Sequence, residues 1–397
     1  MTCLACGSGD LILGLDLGLQ AVSSFYLTRR DAREAPVPLA LGQCGRCATI
    51  QLMAPLTPAA LTPPYDWIWA REPEAHLDAV VDSVLRLPGL GPQSAVVGLT
   101  AKDDTTLERF ARKGWEKTWR VDPIADLAVD DPNAGVETIQ ALTRPATMAG
   151  IAARRGLADV AIVRHIIEHA QDLTAFLQGC AALVREGGYV VFEAPDCSRS
   201  LDLSDYAMIW EEHSLYFTPR TLEAAVVRGG FETVSLDIHP FPFENSLVLV
   251  ARKSPSNGGV APPDAAELAV FANFVAAFRP TGEMLRDRLT AFRERGPVAI
   301  FGAGHLACAF VNFHGLAHLV DFVVDDTPQK QGLFLPGARL PILPSATLAE
   351  RKVALCLLAV SPQSEAGVMA RNADFAASGG VFRSVLCASE RSIRRAP

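Results

Sequence analysis

Two Cys-x-x-Cys pairs constrain the start of this chain more than any other feature: Cys3 with Cys6, and Cys44 with Cys47. Four thiolates in two close pairs suit one tetrahedral zinc ion. The two-residue spacer lets each pair grip the metal from a tight turn. Gly7 and Gly45 fall where such turns need a residue free of Cβ. No histidine or carboxylate in the pattern leaves a coordination position open, so a closed, structural zinc is expected. The competing reading is a pair of redox motifs, or four unrelated core cysteines.

The chain has 397 residues, enough for two or three domains. With 49% hydrophobic residues it can bury a large core, and a net charge of -8 without a basic stripe argues against nucleic acid as a partner. Cys180, Cys197, Cys308, Cys356 and Cys387 are scattered, mostly through apolar runs. They read as buried free thiols of a cytoplasmic protein. The start lacks the pattern of a signal peptide, and no apolar run reaches the length of a membrane span.

Residues 1–70 look like a small irregular lobe that needs a staple, which the zinc supplies. Residues 71–253 alternate strand-like and helical runs. Strands are expected at 95–99, up to 123, and over 136–141 (VETIQA), 158–164 and 188–193. Helices fall between them, as at 74–87, 107–113 and 171–185. That alternation means βαβ units and a mainly parallel sheet, an α/β fold. A polar linker at 253–264 leads to a second α/β unit, 265–397. It opens with a long helix to about 294 and the run PVAIFGAG.

The whole chain resembles the three-part, zinc-containing, S-adenosylmethionine-dependent sugar C-methyltransferases. The zinc lobe matches through CLACGSGDLILGLDLGLQ and LGQCGRCATIQL. The middle matches through GVETIQALTRPATMAGIAARRGLADV, HIIEHAQDLTAFLQGCAALVREGGYVVFEAP and IWEEHSLYFTPRTL. The C-terminal unit matches through FGAGHLACAFVN and DFVVDDTPQKQGLFLPG. The resemblance implies a class I methyltransferase Rossmann-like sheet between the zinc lobe and a second Rossmann-like domain. It also implies S-adenosylmethionine as cofactor and a small acceptor, of which a nucleotide-linked sugar is the family example.

The family's donor loop resembles E-I-G-S-N-D-G. Here it reads Gly98-Leu99-Thr100-Ala101-Lys102-Asp103-Asp104. Asp103 is kept, Gly98 stands for the acidic residue, and Thr100 and Asp104 replace glycines. Asp104 would bring a second negative charge toward the cofactor's carboxylate, which Lys102 would offset by pairing with it. The loop is either rebuilt for the cofactor or no longer suited to it. Asp122, ending the second strand, suits a ribose diol or a helix N-cap. His165 and His169 follow the fourth strand, and His169 matches a family histidine near the cofactor. The family's His-Glu-His segment, preceded by Tyr, is Trp210, Glu211, Glu212 and His213 here, with Tyr216 nearby. The resemblance makes His213 a general base beside an acceptor ketone, oriented by Glu212, with Glu211 an added carboxylate. A solvated loop is the plain alternative. The family's G-G-S-L-R is Glu244-Asn245-Ser246-Leu247-Val248, without the arginine. In the C-terminal unit, Gly302-Ala303-Gly304, His305, Asp325, Asp326 and Lys330 mark turns, with His305 and Lys330 as candidate substrate contacts.

The reading is therefore a C-methyltransferase with Cys3, Cys6, Cys44 and Cys47 on zinc. Gly98, Asp103, Asp122 and His165 line the cofactor, and His213, Glu212, Glu211 and His169 serve the chemistry. A repurposed scaffold with another reaction, or ligand binding alone, is the alternative. A dinucleotide-dependent oxidoreductase built on the GAG turn is the weaker third.

Overall fold

A computed structural model describes all residues except 66, 68–71, 132–134, 255–260 and 396–397. Most of the expected linker at 253–264 thus lies outside the described residues. The chain divides into two compact units. One takes Met1–Leu13, Leu41–Ser198 and Glu212–Leu268, and the other Gly14–Ala40, Arg199–Glu211 and Ala269–Pro397.

Strands β1 (Leu11–Gln20) and β2 (Val37–Cys44) each begin in one unit and end in the other. The end of β2 pairs antiparallel with β3 (Ile50–Leu52), Leu41 facing Leu52. The first unit continues through β4 (Val96–Gly98), β5 (Thr118–Arg120), β6 (Ala158–Arg164) and β7 (Val184–Asp196). It closes with β8 (Leu215–Tyr216), β9 (Phe231–His239) and β10 (Asn245–Lys253). β3 pairs with β8, Ile50 facing Tyr216.

Six of these strands form one sheet in the order β5-β4-β6-β7-β10-β9. β5, β4, β6 and β7 run parallel, as expected for strands joined by helices. β10 returns antiparallel to β7 and is joined to β9 as a hairpin. The carboxyl ends of β4, β6 and β7 therefore share one edge with the amino end of β10. In open α/β sheets that edge takes the ligand. β6 reads ADVAIVR and is buried at six of seven positions, because a parallel strand is covered on both faces.

The strand expected over 136–141 is instead part of a helix, Val136–Leu142. Its β-branched residues favour a strand locally, but context wins. Glu137, Ile139 and Gln140 are all buried in the helix. Thr143 then closes it, with its N–H and hydroxyl both on the Ile139 carbonyl. Pro145 starts the next helix, Pro145–Arg155, so the chain turns back instead of extending.

The second unit holds a parallel sheet of β11 (Val298–Phe301), β12 (Phe322–Val324), β13 (Ile342–Leu343), β14 (Leu355–Leu358) and β15 (Val381–Ser384). The order is β13-β12-β11-β14-β15. The long helix runs Ala265–Arg293 and carries Pro280 inside it. Among the described residues no helix is long and apolar enough to cross a membrane.

Close packing in the first unit relies on Gly179, in the helix Leu173–Leu183. A Cβ there would lie 2.7 Å from the Thr143 carbonyl oxygen. Backbone cannot give way as a side-chain tip can. Gly179→Ala is expected to cost about 1–3 kcal/mol in chemical denaturation. An unchanged unfolding midpoint would show that the two segments are not packed this closely.

Candidate active site and zinc centre

The four N-terminal cysteines converge. Their sulfurs lie within 4.8 Å of one another, with Cys3–Cys47 and Cys6–Cys44 both at 3.6 Å. That is close to the sulfur spacing around a tetrahedral zinc with Zn–S bonds of about 2.3 Å, so the residues fit the metal. The two turns are built alike. The Gly7 N–H bonds the Cys3 carbonyl and the Ala48 N–H bonds the Cys44 carbonyl, both at 2.8 Å. Gly7 has φ +70° and Ala48 φ +60°. Ala48, rather than Gly45, is thus the left-handed residue of the second turn. At Gly45 a Cβ would lie 2.3 Å from the exposed Asp10 carboxylate, which would have to swing aside. Thr49 Oγ1 lies 3.3 Å from Cys47 Sγ as an outer support. Cys3, Ala5, Cys44 and Cys47 share one apolar cluster with Val97, Phe192 and Leu215, so the zinc lobe packs on the core of its unit.

At the carboxyl edge of the six-stranded sheet, the donor loop is held by its own carboxylate. Asp103 accepts from the N–H groups of Leu99 (2.7 Å), Thr100 (2.8 Å) and Arg164 (3.0 Å) and is fully buried. Burial pushes its carboxyl up to about 7, against those three donors. Asp103, expected to touch the cofactor, is thus committed to the loop backbone. Gly98 makes room for it, as a Cβ there would lie 2.7 Å from Asp103 Cβ. Asp104, expected to bring a second negative charge toward the cofactor, pairs with Arg120 at 3.1 Å. Asp122 Oδ1 accepts from Ile124 and Ala125 N–H, the capping half of its expected role. It remains partly exposed beyond the end of β5.

Behind the loop stands a buried ion cluster. Arg164 Nε lies 2.5 Å from Glu193 Oε2 and its Nη1 2.5 Å from the Lys102 carbonyl. Glu193 Oε1 also takes His76 at 2.8 Å, Ser246 at 2.7 Å and His165 at 3.2 Å. Burial would lift Glu193, but His165, His76 and Arg164 hold it well below the usual carboxylate range. His165 has φ +48° and its N–H bonds the Glu193 carbonyl. Burial disfavours its cation, yet Glu72, Glu193 and Glu168 raise it to about 10. His165 is therefore an ionic member of this wall.

His169 Nδ1 forms a short hydrogen bond with Glu137 Oε1, from the helix Val136–Leu142. Its ring meets His213 edge-on at 4.9 Å. Ligand atoms of Glu168, His169 and His213 lie within 4.8 Å of one another, as do those of Glu137, His169 and Glu212. Burial works against a charged His169, but Glu137 and Glu168 outweigh it and raise the imidazole. Burial and then the His169 cation lower His213 to about 3. His169, Glu212 and His213 are thus brought together. Sequence reading missed Glu137, Glu193, His76 and Arg164. The available signal was a charge ending an apolar strand, as in VAIVR and VVFE.

Glu211 is not with them. It belongs to the second unit, where it accepts from the Ser23 N–H at 2.5 Å and hydroxyl at 2.7 Å. His305 lies 3.3 Å from Ser23 Oγ and 3.1 Å from the Ala207 carbonyl, and Trp210 stacks on it at 4.4 Å. Asp325 accepts from the Ala303 and Thr327 N–H groups, and Lys330 Nζ bonds the Ala303 carbonyl at 2.8 Å. Gly302, at φ +102°, is needed because a Cβ would lie 2.6 Å from the Ala359 carbonyl. The GAG turn is thus fastened to Asp325 and Lys330 of its own unit.

Three family descriptions match consecutive stretches. A zinc binding domain covers residues 3–61, a methyltransferase domain 75–236, and a C-methyltransferase C-terminal domain 263–386. The C-methyltransferase NovU of Streptomyces niveus is 28% identical over 358 residues, 86% of this chain and 84% of that protein. Among solved structures, the Burkholderia thailandensis 1,6-didemethyltoxoflavin-N1-methyltransferase is 18% identical, with 45% and 77% of the chains covered and a TM-score of 0.31. Magnesium protoporphyrin IX methyltransferase of Synechocystis PCC 6803 is 15% identical over 46% and 79%, also at 0.31.

Two outcomes test these assignments. Elemental analysis should find one zinc per chain, and Cys47→Ser should lose it and lower the melting temperature of the first unit. A metal-free, equally stable wild type would overturn the zinc centre. Asp103→Ala leaves three buried N–H groups without an acceptor and should cost roughly 3 kcal/mol or more, at about 1–3 kcal/mol for each. A change in ligand affinity with unaltered stability would return Asp103 to the cofactor.

Proposed function

We propose that this chain is a three-part, zinc-containing, S-adenosylmethionine-dependent C-methyltransferase and that it methylates a carbon beside a carbonyl in a small acceptor of the nucleotide-linked sugar class. One observation carries the proton chemistry. His169 and His213 face each other at 4.9 Å with their proton affinities driven apart. Such a split marks an acid and a base. His213, neutral, takes the proton from the carbon beside the carbonyl. His169, cationic on Glu137, stabilises the negative charge that develops on the carbonyl oxygen. S-adenosylmethionine, when bound, supplies an electrophilic methyl group. Asp122 is the residue for its ribose, while Asp103 shapes the loop and does not touch the donor. The zinc takes no part in the reaction. Its role is to hold the lobe on the unit's core.

A repurposed scaffold is the second reading, favoured by the Arg164–Glu193 ion pair built into the edge where the family's donor loop is glycine-rich. Calorimetric titration with S-adenosylmethionine separates the two, since a scaffold that has left methyl transfer has no reason to bind it.

The pair also sets the pH dependence. His213 stays unprotonated down to about pH 3, so the base is available across the neutral range. His169 is raised, so its cation survives above the ordinary histidine range of about 6.5 and is lost only on the alkaline side. The rate profile should therefore fall toward alkaline pH. Glu137→Gln removes the carboxylate that favours the cation and should move that limb to lower pH. His213→Asn should cut turnover by about 10²–10⁴ with the fold intact. An alkaline limb that ignores Glu137→Gln, or full activity in His213→Asn, would sink the assignment.

A further inference from the structure

Glu72 has no part in the chemistry above, yet it occupies the most telling position at the donor edge. It lies ahead of the helix Leu77–Val84, and its carboxylate is 2.8 Å from Lys102 Nζ. Both side chains keep about a quarter of their exposure (25% and 24%). The same edge carries two more cationic side chains. Arg164 is 2% exposed, and its Nη2 is buried with no hydrogen-bond partner among the described residues. His165 lies beside it, its charge among those that keep Glu72 ionised. Glu74 is a second carboxylate at this edge, 3.7 Å from Arg164 Nη1, and it takes the Thr105 hydroxyl at 2.6 Å. Lys102 and Arg164 stand at the carboxyl ends of β4 and β6, where an open sheet receives its ligand.

We infer that Lys102 is the anchor of a carboxylate-binding subsite at this edge, which Glu72 fills from within the chain until the α-carboxylate of an amino-acid-bearing ligand displaces it. The inference rests on the methyl-donor reading, which supplies such a ligand in S-adenosylmethionine. The exchange is balanced: one carboxylate leaves Lys102 and another arrives, so no additional charge is buried without a partner. The two carboxylates cannot share the subsite, because like charges in contact are costly. Glu72 thereby sets the affinity of a loop that has lost its glycines.

The test is calorimetric titration of the full chain and its Glu72→Gln variant with S-adenosylmethionine, S-adenosylhomocysteine and decarboxylated S-adenosylmethionine. The third ligand lacks the group that the subsite recognises. Removing the internal competitor should tighten the first two about tenfold and leave the third unimproved. Lys102→Met should weaken the first two by about 10²-fold relative to the third, the loss expected when one partner of a desolvated charge pair is removed. Melting curves establish that both variants fold. Equal effects on all three ligands, or none on any, would overturn the subsite while leaving the methyl-donor reading in place. If no ligand binds either protein, that reading falls and the subsite with it.

Discussion

The edge of the first unit depends on one buried carboxylate. Glu193 lies in an apolar run near the carboxyl end of β7, and by itself its charge would be very costly there. It is tolerated because donors from three other parts of the chain converge on it: His76 ahead of a helix, Arg164 and His165 at the end of β6, and Ser246 at the start of β10. Each donor is thereby fixed. Arg164, held by Glu193, caps the Lys102 carbonyl with Nη1, and its N–H is bound by Asp103. The donor loop and the strand edge therefore share one electrostatic frame. Such a frame is weak evidence of added stability, since desolvation offsets much of the Coulomb gain. Its stronger consequence is geometric, because removing any one partner leaves a buried charge exposed to the rest.

Much of this was legible from residue type and spacing. The paired cysteines announced the metal because four soft ligands at two-residue spacing have few other uses. The runs around 95–99, 158–164 and 188–193 announced strands because nearly every position in them is buried. The helix Val136–Leu142 was not legible, since its β-branched residues describe a local preference that the packing of Glu137, Ile139 and Gln140 overrules. Glu137 was lost with it, although it is the direct partner of His169. Ala48 was hidden for a similar reason. Glycine advertises a left-handed turn, and alanine in the same conformation does not.

The acceptor segment shows how far adjacency in sequence can mislead. Trp210, Glu211, Glu212 and His213 read as one cluster, but the boundary between the two units falls between Glu211 and Glu212. Glu211 is spent on Ser23, and Trp210 is spent on the face of His305. Where the family pattern has tyrosine and histidine, this chain has two residues occupied with the second unit's own interior. The surviving Glu212 and His213 are the ones that meet His169.

Three histidines of the first unit end in three electrostatic situations, and residue type decides none of them. His165 sits among Glu193, Glu168 and Glu72 and is held as a cation up to about 10. His169 has Glu137 on one ring nitrogen and Glu168 4.0 Å from the other, and it is raised as well. His213 faces the His169 ring, and a neighbouring cation together with burial drives it down to about 3. The ordering follows the carboxylates each imidazole meets. Glu137 is therefore more than a partner for His169. By favouring a charged His169 it adds to the burial that already holds His213 uncharged, so a residue on a helix that sequence reading placed in a strand bears on both members of the proposed acid–base pair.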